Sequence, residues 1–426
     1  MTDSDDTGTF TTDEAQEWMN GRTDADGRLR YSLDVSPYDT EKNIVELLTM
    51  KNILVSTNHR EAIFMSNGRL SRVVYEEIAG RKLYAIKALQ RAGLGGRLTT
   101  LADWDHHRLG AINPPQDVVL NVIERADELF PELPILEQVI TYPIYSADGV
   151  LQTEPGYSRD TRCWYAPPFG VEIPEVAKSP TDEEVKRARS VILDDLIVDF
   201  PFVTESDRTH AVALMLQPFV RRMINGPTPI HAIDAPKAGT GKTLLIKLLM
   251  TPSFGGDPHS STEWTTEEEG KKQLTSVMLA GRPYLFIDNI NTTLNSGHFA
   301  STITASVYQE RILGGNLNCT RPIQHTWFIT GNNISYSGEM ARRTVPTYLN
   351  AHLETPQLGR KFKHSDVERW AGENRGLITW AALTLIQQWI TAGRPSDESV
   401  KPLGMFESWS AVVGGILKAA GIGGFL

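Results

Sequence analysis

The residues of this sequence with the most specific chemistry lie between a short apolar run and a strong helical pattern. Gly239 and Gly241 allow the backbone to curl so that successive N–H groups point inward, where they can hold phosphate oxygens. The N-terminus of the following helix favours the same anionic ligand. Lys242 would reach the terminal phosphates of ATP, and Thr243 would be a ligand of Mg²⁺. The predicted phosphate cradle consists of Ala238, Gly239, Thr240, Gly241, Lys242 and Thr243.

Two elements must position this loop. Ile230–Asp234 is a short apolar run that predicts a strand, and Leu244–Met250 has the pattern of a helix. A strand, a glycine-rich turn and a helix are the expected context of a phosphate loop. The usual first glycine is replaced by Pro236. The alternative is a glycine-rich turn that merely caps a helix. It is the weaker interpretation, because further residues of a nucleotide site follow later in the chain.

The first of these residues is Asp288, which ends the apolar run 284–287. Such a run is typical of a parallel strand that is buried on both faces. An acid at the carboxyl end of such a strand lies where ligands bind. Asp288 is therefore predicted to hold Mg²⁺, directly or through water. The alternative is that Asp288 only caps the following turn.

A third predicted strand, Thr326–Thr330, is followed by Gly331 and then by Asn332 and Asn333. An amide in this place can orient the attacking water beside the γ-phosphate, which makes Asn332 the candidate. An asparagine-rich turn is the competing interpretation.

Arg342 and Arg343 precede the run Thr344–Leu349, which alternates like a strand but contains Pro346. A proline restricts a strand to the edge of a sheet. The two arginines are expected to project from the surface and, in a ring, to reach the γ-phosphate bound by a neighbouring subunit. A solvated basic turn remains the alternative.

These motifs, in this order, resemble those of superfamily three helicases, which are AAA+ ring ATPases of viruses and mobile elements. The resemblance is closest to the helicase portion of phage and plasmid primase-helicase proteins and covers about residues 181–426. It rests on Ala235–Thr243, Leu285–Asn289, Thr330–Asn333 and the arginine pair, and it extends to Phe406–Ser410.

The resemblance implies an α/β fold with a P-loop parallel sheet of strand order 5-1-4-3-2, flanked by helices. It also implies a hexameric ring with shared ATP sites, movement along single-stranded DNA, and a primase or other replication protein as a partner. A hairpin between the second and third catalytic strands faces the pore in such rings. Here that region is 311–325, with a bend at Gly314-Gly315, and the candidate DNA contacts are Arg311, Arg321 and His325.

One departure from the family pattern concerns the chemistry. Asn289 stands where these ATPases usually carry a second acid, which acts as general base on the hydrolytic water. An amide can orient water but does not usefully accept its proton. Three explanations stay open: another acid serves, hydrolysis is slow, or the proton goes to the phosphate itself.

Composition limits the function classes. The chain has 42 lysines and arginines against 52 acids, a net charge of −10, which excludes a body that coats duplex DNA by charge alone. It has no apolar run long enough to cross a bilayer and no visible signal peptide. Two distant cysteines, Cys163 and Cys319, give no metal or disulfide framework and fit a reducing, cytoplasmic setting.

The sequence divides into a disordered acidic tail (1–30), an α+β N-terminal accessory domain (31–180), an ATPase core (181–375) and a C-terminal helical region (376–426). The apolar chain end suggests that the last region is truncated. The N-terminal domain is expected to dock on the ring or to guide DNA. Its polar cluster of Asp103, Asp105, His106 and His107 is capable of binding a metal, although a solvated turn is the favoured interpretation.

Three functions are therefore compared. The first is an ATP-driven, ring-forming DNA helicase. The second is an ATP-binding assembly or loading module with little hydrolysis, which Asn289 would explain. The third is an AAA+ protein remodeller, which ranks lowest because no clear aromatic pore loop is visible.

Overall fold

The computed structural model of the protein describes residues 11–23, 28–54, 62–78, 81–311, 318–352 and 362–426. The chain divides into two compact units: residues 1–139 with 155–164, and residues 140–154 with 165–426. This division differs from the expected boundary at residue 180. The carbonyl of Lys178 accepts hydrogen bonds from Gln387 and Thr391 of the second unit, so residues before 180 already belong there.

The described part of the N-terminal unit contains helices and three three-stranded sheets. Its helices are α1 (Thr12–Asn20), α2 (Pro37–Leu54), α3 (Arg91–Leu101), α4 (Gln116–Glu124) and α5 (Ala126–Leu129). One sheet has the order β1 (Leu29–Ser32), β5 (Ala102–His106), β6 (Gly110–Ala111). The second has the order β2 (Phe64–Ser66), β3 (Arg69–Ile78), β4 (Arg81–Ala88). The third has the order β10 (Gly156–Ser158), β11 (Cys163–Tyr165), β7 (Gln138–Ile140). Apolar side chains of both helices and strands form one core, with Trp104 stacked on Tyr31.

Helix α1 lies in the segment that was expected to be a disordered tail. The Thr11 hydroxyl accepts a hydrogen bond from the Glu14 amide, and the Glu14 carboxylate accepts one from the Thr11 amide, at 3.2 and 2.6 Å. This reciprocal capping box satisfies two of the amides that a helix start leaves open. Ala15 is fully buried. The expectation of disorder is therefore wrong for Thr12–Asn20.

The C-terminal unit is built on a five-stranded parallel sheet. In spatial order its strands are β13 (Ser260–Ser261), β14 (Tyr284–Ile290), β18 (Thr326–Asn332), β12 (Ile230–Ala235) and β20 (Thr344–Tyr348). Read from β20, this is the predicted order 5-1-4-3-2. The strand with Pro346 is at the edge, as expected, and β12 is buried along its whole length.

Helices and short strands surround this sheet. The helices are α6 (Asp182–Ser190), α7 (Glu205–Val220), α8 (Lys242–Phe254), α9 (Glu267–Ala280), α10 (Gly297–Thr304), α11 (Gly338–Ala341), α12 (Val367–Glu373), α13 (Arg375–Thr391) and α14 (Glu407–Ala419), with a π-helical stretch at Val191–Leu196. The remaining strands of this unit are β8 (Ile144–Tyr145), β9 (Leu151–Gln152), β15 (Thr293–Leu294), β16 (Val307–Arg311), β17 (Asn318–Pro322) and β19 (Ser335–Tyr336).

A buried polar contact joins the C-terminal helix to the sheet. The side-chain oxygen of Gln217 on α7 accepts hydrogen bonds from Nε2 of His231 on β12, at 3.0 Å, and from Nε1 of Trp409 on α14, at 2.8 Å. All three side chains are buried. Because His231 donates from Nε2, its neutral form suits this place and a second ring proton would have to be accommodated without water.

We expect the free energy of unfolding to fall as the pH is lowered from 7 to 5.5. Burial lowers the pKa of His231 to about 3, and that of His325 to about 3. The unfolded chain binds both protons below its ordinary histidine pKa near 6.5, whereas the folded chain stays neutral, so stability is present above that pH and lost below it. The pair would contribute a loss of about 2 kcal/mol per pH unit in this window.

Urea unfolding at pH 7, 6.5, 6 and 5.5 measures this dependence. In the double variant His231→Gln/His325→Gln the decline should be shallower. A decline that is the same in both proteins would contradict the prediction.

Candidate active site

The predicted phosphate loop leaves the carboxyl end of β12 and enters α8. Gly239 and Gly241 have φ angles of 76° and 102°, in the left-handed region that glycine adopts without strain. The hydroxyl of Thr240 donates to the carbonyl of Lys237 at 2.8 Å and closes the turn. Pro236 is exposed at the start of the loop, so it does not fill the curl of backbone that follows.

Lys242 occupies the centre of the site and is largely buried. Its ammonium donates to the side-chain oxygen of Asn332 at 2.7 Å, and the Asn332 amide in turn donates to the side-chain oxygen of Asn289 at 3.4 Å. Burial lowers the pKa of Lys242, while the charges of Asp234 and Asp288 act in the opposite direction. Since its hydrogen-bond partner in the described part of the chain is a neutral amide, the ammonium is available to a phosphate.

Asp288 lies beside the first turn of α8. Its Oδ1 accepts hydrogen bonds from the hydroxyls of Thr243, at 3.2 Å, and Thr330, at 2.5 Å. The structure thus brings together the two predicted magnesium residues. A hydroxyl and a carboxylate are the hard oxygen ligands that Mg²⁺ prefers, so this donor set fits the ion.

Asn289 leaves the regular path of its strand. Its φ is 59°, and the pairing of β14 with β18 shifts register between Ile287 and Ile290. The backbone amide of Asn289 donates a hydrogen bond to the hydroxyl of Thr330 at 2.9 Å. Asparagine and aspartate tolerate the left-handed region better than other non-glycine residues. If Asn289 is replaced by an acid, aspartate therefore strains the backbone less than glutamate does.

Asp234, at the end of β12, is a site residue that the sequence analysis missed. Its carboxylate accepts hydrogen bonds from the amides of Ala235, at 2.8 Å, and Ile334, at 3.1 Å. It thereby ties the start of the phosphate loop to the residues after Asn332. Burial raises the pKa of Asp234, and the hydrogen bonds from these amides and the charge of Lys242 oppose that effect. An acid near the carboxyl end of a mostly apolar strand was the available signal.

The two predicted arginines differ in their environments. Arg343 is 8% exposed, and its guanidinium is bound to the carbonyl and carboxylate of Glu339, at 2.8 and 3.1 Å. The expectation that it projects from the surface is wrong, because these contacts hold it within its own chain. Arg342 is exposed.

The expected hairpin is present but begins earlier than predicted. β16 and β17 pair antiparallel from Val307–Arg311 to Asn318–Pro322, and the predicted bend at Gly314-Gly315 lies outside the described residues. Arg311 is exposed and Arg321 is half-buried. His325 is not part of the hairpin. It is 3% exposed and stacks on Trp327, so its assignment as a DNA contact is wrong.

The polar cluster of the N-terminal unit also differs from the expected set. His106 and His107 converge with Asp34, while Asp103 pairs with Arg28. The amide of Arg108 donates to Nδ1 of His106, and its guanidinium donates to Nε2 of His107. Each neutral ring then carries its proton on the nitrogen that faces Asp34. A metal would need a lone pair at that nitrogen, so the arrangement favours hydrogen bonding over metal binding.

Comparison with known proteins gives remote similarities. No family model and no curated protein matches the chain. The apo C-terminal region of NrS-1 matches with 11% identity and a TM-score of 0.39, over 76% of this chain and 65% of that one. An SCCmec type IV Cch active helicase matches with 10% identity and a TM-score of 0.34, over 83% and 70%. The JCV helicase matches with 14% identity and a TM-score of 0.25, over 56% and 67%.

The chain thus spans just under two thirds of the NrS-1 region that it matches. No residue role assigned above depends on these similarities. Within the described part of the chain, every helix is too short or too polar to span a bilayer.

We expect Lys242→Ala to weaken binding of ATP with Mg²⁺ by about 30- to 150-fold. A hydrogen bond to a charged group contributes about 2 to 3 kcal/mol, which corresponds to this range. Titration with a fluorescent ATP analogue measures the dissociation constant. Lys237→Ala is the matched control, because Lys237 belongs to the same loop but is exposed. Equal affinities in the two variants would contradict the assignment.

Asn289→Asp should raise kcat for ATP hydrolysis by about tenfold or more, because it supplies a proton acceptor where the structure has an amide. The dissociation constant for ATP should change little. Asn291→Asp is the control, since it adds the same charge two residues away in an exposed position. An unchanged kcat in Asn289→Asp, measured by phosphate release, would show that the missing base does not limit turnover.

Proposed function

We propose that the chain is an ATP-dependent DNA helicase of superfamily three that works as an AAA+ ring in the replication of a phage or mobile element. The observation that carries the proposal is the convergence of three motifs on one edge of the sheet. Lys242 from the loop after β12, Asp288 from β14 and Asn332 from β18 lie in one hydrogen-bonded network, which runs through Asn289 and Thr330. Each of these residue types matches its place in the motif order that defines the resemblance.

In this proposal the chain binds the triphosphate of ATP through the amides of Ala238–Thr243 and the ammonium of Lys242. A phosphate oxygen would replace the Asn332 oxygen beside the ammonium. Thr243 and Asp288 would hold Mg²⁺, which neutralises the charge that develops on the phosphates. Thr330, by its hydrogen bond to the Asp288 carboxylate, fixes the orientation of the metal ligand.

The hydrolytic water would be oriented by the side-chain amides of Asn332 and Asn289, which are hydrogen-bonded to each other. Neither group accepts the proton of the water, so the chain positions the nucleophile without activating it. Slow turnover is the expected consequence.

The ring would share each ATP site between two copies of the chain. Arg342 is exposed and would reach the γ-phosphate bound by the neighbouring subunit. Arg343 would act indirectly, because its bonds to Glu339 fix the turn that carries Arg342. Six copies are the number that the resemblance implies.

Single-stranded DNA would pass along the β16–β17 hairpin, with Arg311 and Arg321 near its phosphates. The hairpin is held to α9 by an ion pair between Glu310 and Lys271, at 2.5 Å, and by a hydrogen bond between the hydroxyls of Tyr308 and Thr275, at 2.7 Å. These contacts provide a mechanical connection through which a shift of α9 would move the hairpin. A primase or another replication protein is the proposed further partner.

A second candidate is an ATP-binding assembly or loading module. Asn289 favours it, since a site without a base can bind nucleotide and change subunit contacts with little turnover. Nucleotide-dependent oligomers in the absence of DNA-stimulated hydrolysis would support this alternative.

The helicase proposal predicts that single-stranded DNA stimulates ATP hydrolysis and that the protein separates a forked duplex when ATP and Mg²⁺ are present. Phosphate release and a fluorescence-quenched fork measure the two activities, with Lys242→Ala as the inactive control. ATP hydrolysis that is indifferent to DNA, together with an intact fork, would rule the proposal out.

Mixing two inactive variants tests the shared site. Lys242→Ala retains Arg342, and Arg342→Ala retains Lys242, so a mixed ring contains some interfaces with both residues intact. Mixing should therefore restore part of the ATPase activity. Mixtures as inactive as their components would show that Arg342 does not act across an interface.

A further inference from the structure

Basic residues are concentrated in one part of the N-terminal unit. Between residues 69 and 97 the sequence has two acids, Glu76 and Glu77. Its seven basic residues are Arg69, Arg72, Arg81, Lys82, Lys87, Arg91 and Arg97. The whole chain has a net charge of −10, so this segment has the opposite sign to the rest of the protein. Such a local reversal indicates an anionic partner rather than a general solubilising surface.

Two of these residues face each other across the ladder of the β3–β4 hairpin. Arg72 is directly opposite Lys87 in the antiparallel register, and both are exposed. The adjacent residues of β3, Ser71 and Val73, are buried and point to the opposite face. We call the side with Arg72 and Lys87 the outer face of the hairpin.

Like charges directly opposite each other destabilise a sheet unless an anion lies between them. In the described part of the chain, no carboxylate forms an ion pair with Arg72 or Lys87 at these positions. Arg91 is also exposed, and it starts α3 only three residues after β4 ends. The outer face of the hairpin thus presents two adjacent positive charges, Arg72 and Lys87, without an ion-pair partner among the described residues.

We propose that the outer face of the β3–β4 hairpin, with Arg72 and Lys87, binds the phosphate backbone of duplex DNA. Duplex DNA carries about one negative charge per 1.7 Å of its axis, which matches closely spaced cations better than a single strand does. Proteins that prefer single strands add aromatic side chains on which bases stack. The aromatic pair of this hairpin, Tyr75 and Tyr84, alternates onto the other face.

This contact goes beyond the proposed helicase activity, because it lies in the N-terminal unit and requires no nucleotide. Its role would be to hold the double-stranded part of the substrate without reading its sequence. Phosphate contacts position a protein on DNA and carry no base information, so binding should be independent of sequence.

The test measures binding of the full-length chain to a labelled, blunt 20-base-pair duplex by fluorescence anisotropy, without ATP, at several salt concentrations. In Arg72→Gln/Lys87→Gln the affinity at low salt should fall about tenfold or more. The slope of log affinity against log salt should become shallower by about 2, since each lost phosphate contact contributes about 0.9.

The matched control is Lys42→Gln/Arg159→Gln, which removes two exposed basic residues from the same unit. It should bind the duplex within about twofold of the parent, because only nonspecific long-range charge is lost. Both double variants should keep the parent's ATP hydrolysis, and neither should be less stable to heat than the parent, since Arg72→Gln/Lys87→Gln removes a pair of like charges. If the helicase proposal fails, this binding result is unaffected, so the two failures are distinguishable.

Equal losses of duplex affinity in the test and control variants would overturn the proposal. A loss confined to a single-stranded 20-mer would overturn it as well, in favour of a single-strand contact. A loss confined to the duplex, together with the reduced salt slope, would support it.

Discussion

The candidate site depends on a single buried ammonium group. Lys242 starts α8 directly after a loop in which Gly239 and Gly241 have positive φ angles, and its hydrogen bond to Asn332 connects that loop to a different strand. A buried cation is costly unless it is paired and hydrogen-bonded. The surrounding oxygens of Asp234 and Asp288 reduce this cost without removing the charge, because both act on Lys242 through space. A phosphate group would complete the pairing.

The parallel sheet brings the phosphate loop, Asp288 and Asn332 together. β12, β14 and β18 are adjacent, and all run in the same direction, so their carboxyl ends deliver a loop, an acid and an amide to one place. Asp234 and Thr330 then fix the local geometry, the first by binding two loop amides and the second by binding both Asp288 and the amide of Asn289. The site is therefore a property of the strand order as much as of its individual residues.

The sequence predicted the features that depend on local pattern. Strand β12, the phosphate loop and helix α8 follow from an apolar run, two glycines and a helical period, and the edge position of β20 follows from Pro346. Features that depend on tertiary contacts were not predictable. Arg343 and His325 are buried, and burial depends on how the whole unit packs, although their partners Glu339 and Trp327 lie only four and two residues away in the sequence. Asp34, 72 residues before His106 in the sequence, could not be associated with the histidines, and the capping box of α1 was overlooked within a polar segment.

The central claim is that Lys242 and its loop hold the triphosphate of ATP. A crystal structure with a non-hydrolysable ATP analogue and Mg²⁺ tests it most directly. The account predicts phosphate oxygens within hydrogen-bond distance of Nζ of Lys242 and of the loop amides, with the metal beside the Thr243 hydroxyl and the Asp288 carboxylate. A nucleotide bound elsewhere, with Lys242 still bonded to Asn332 and the loop obstructed by Pro236, would contradict it.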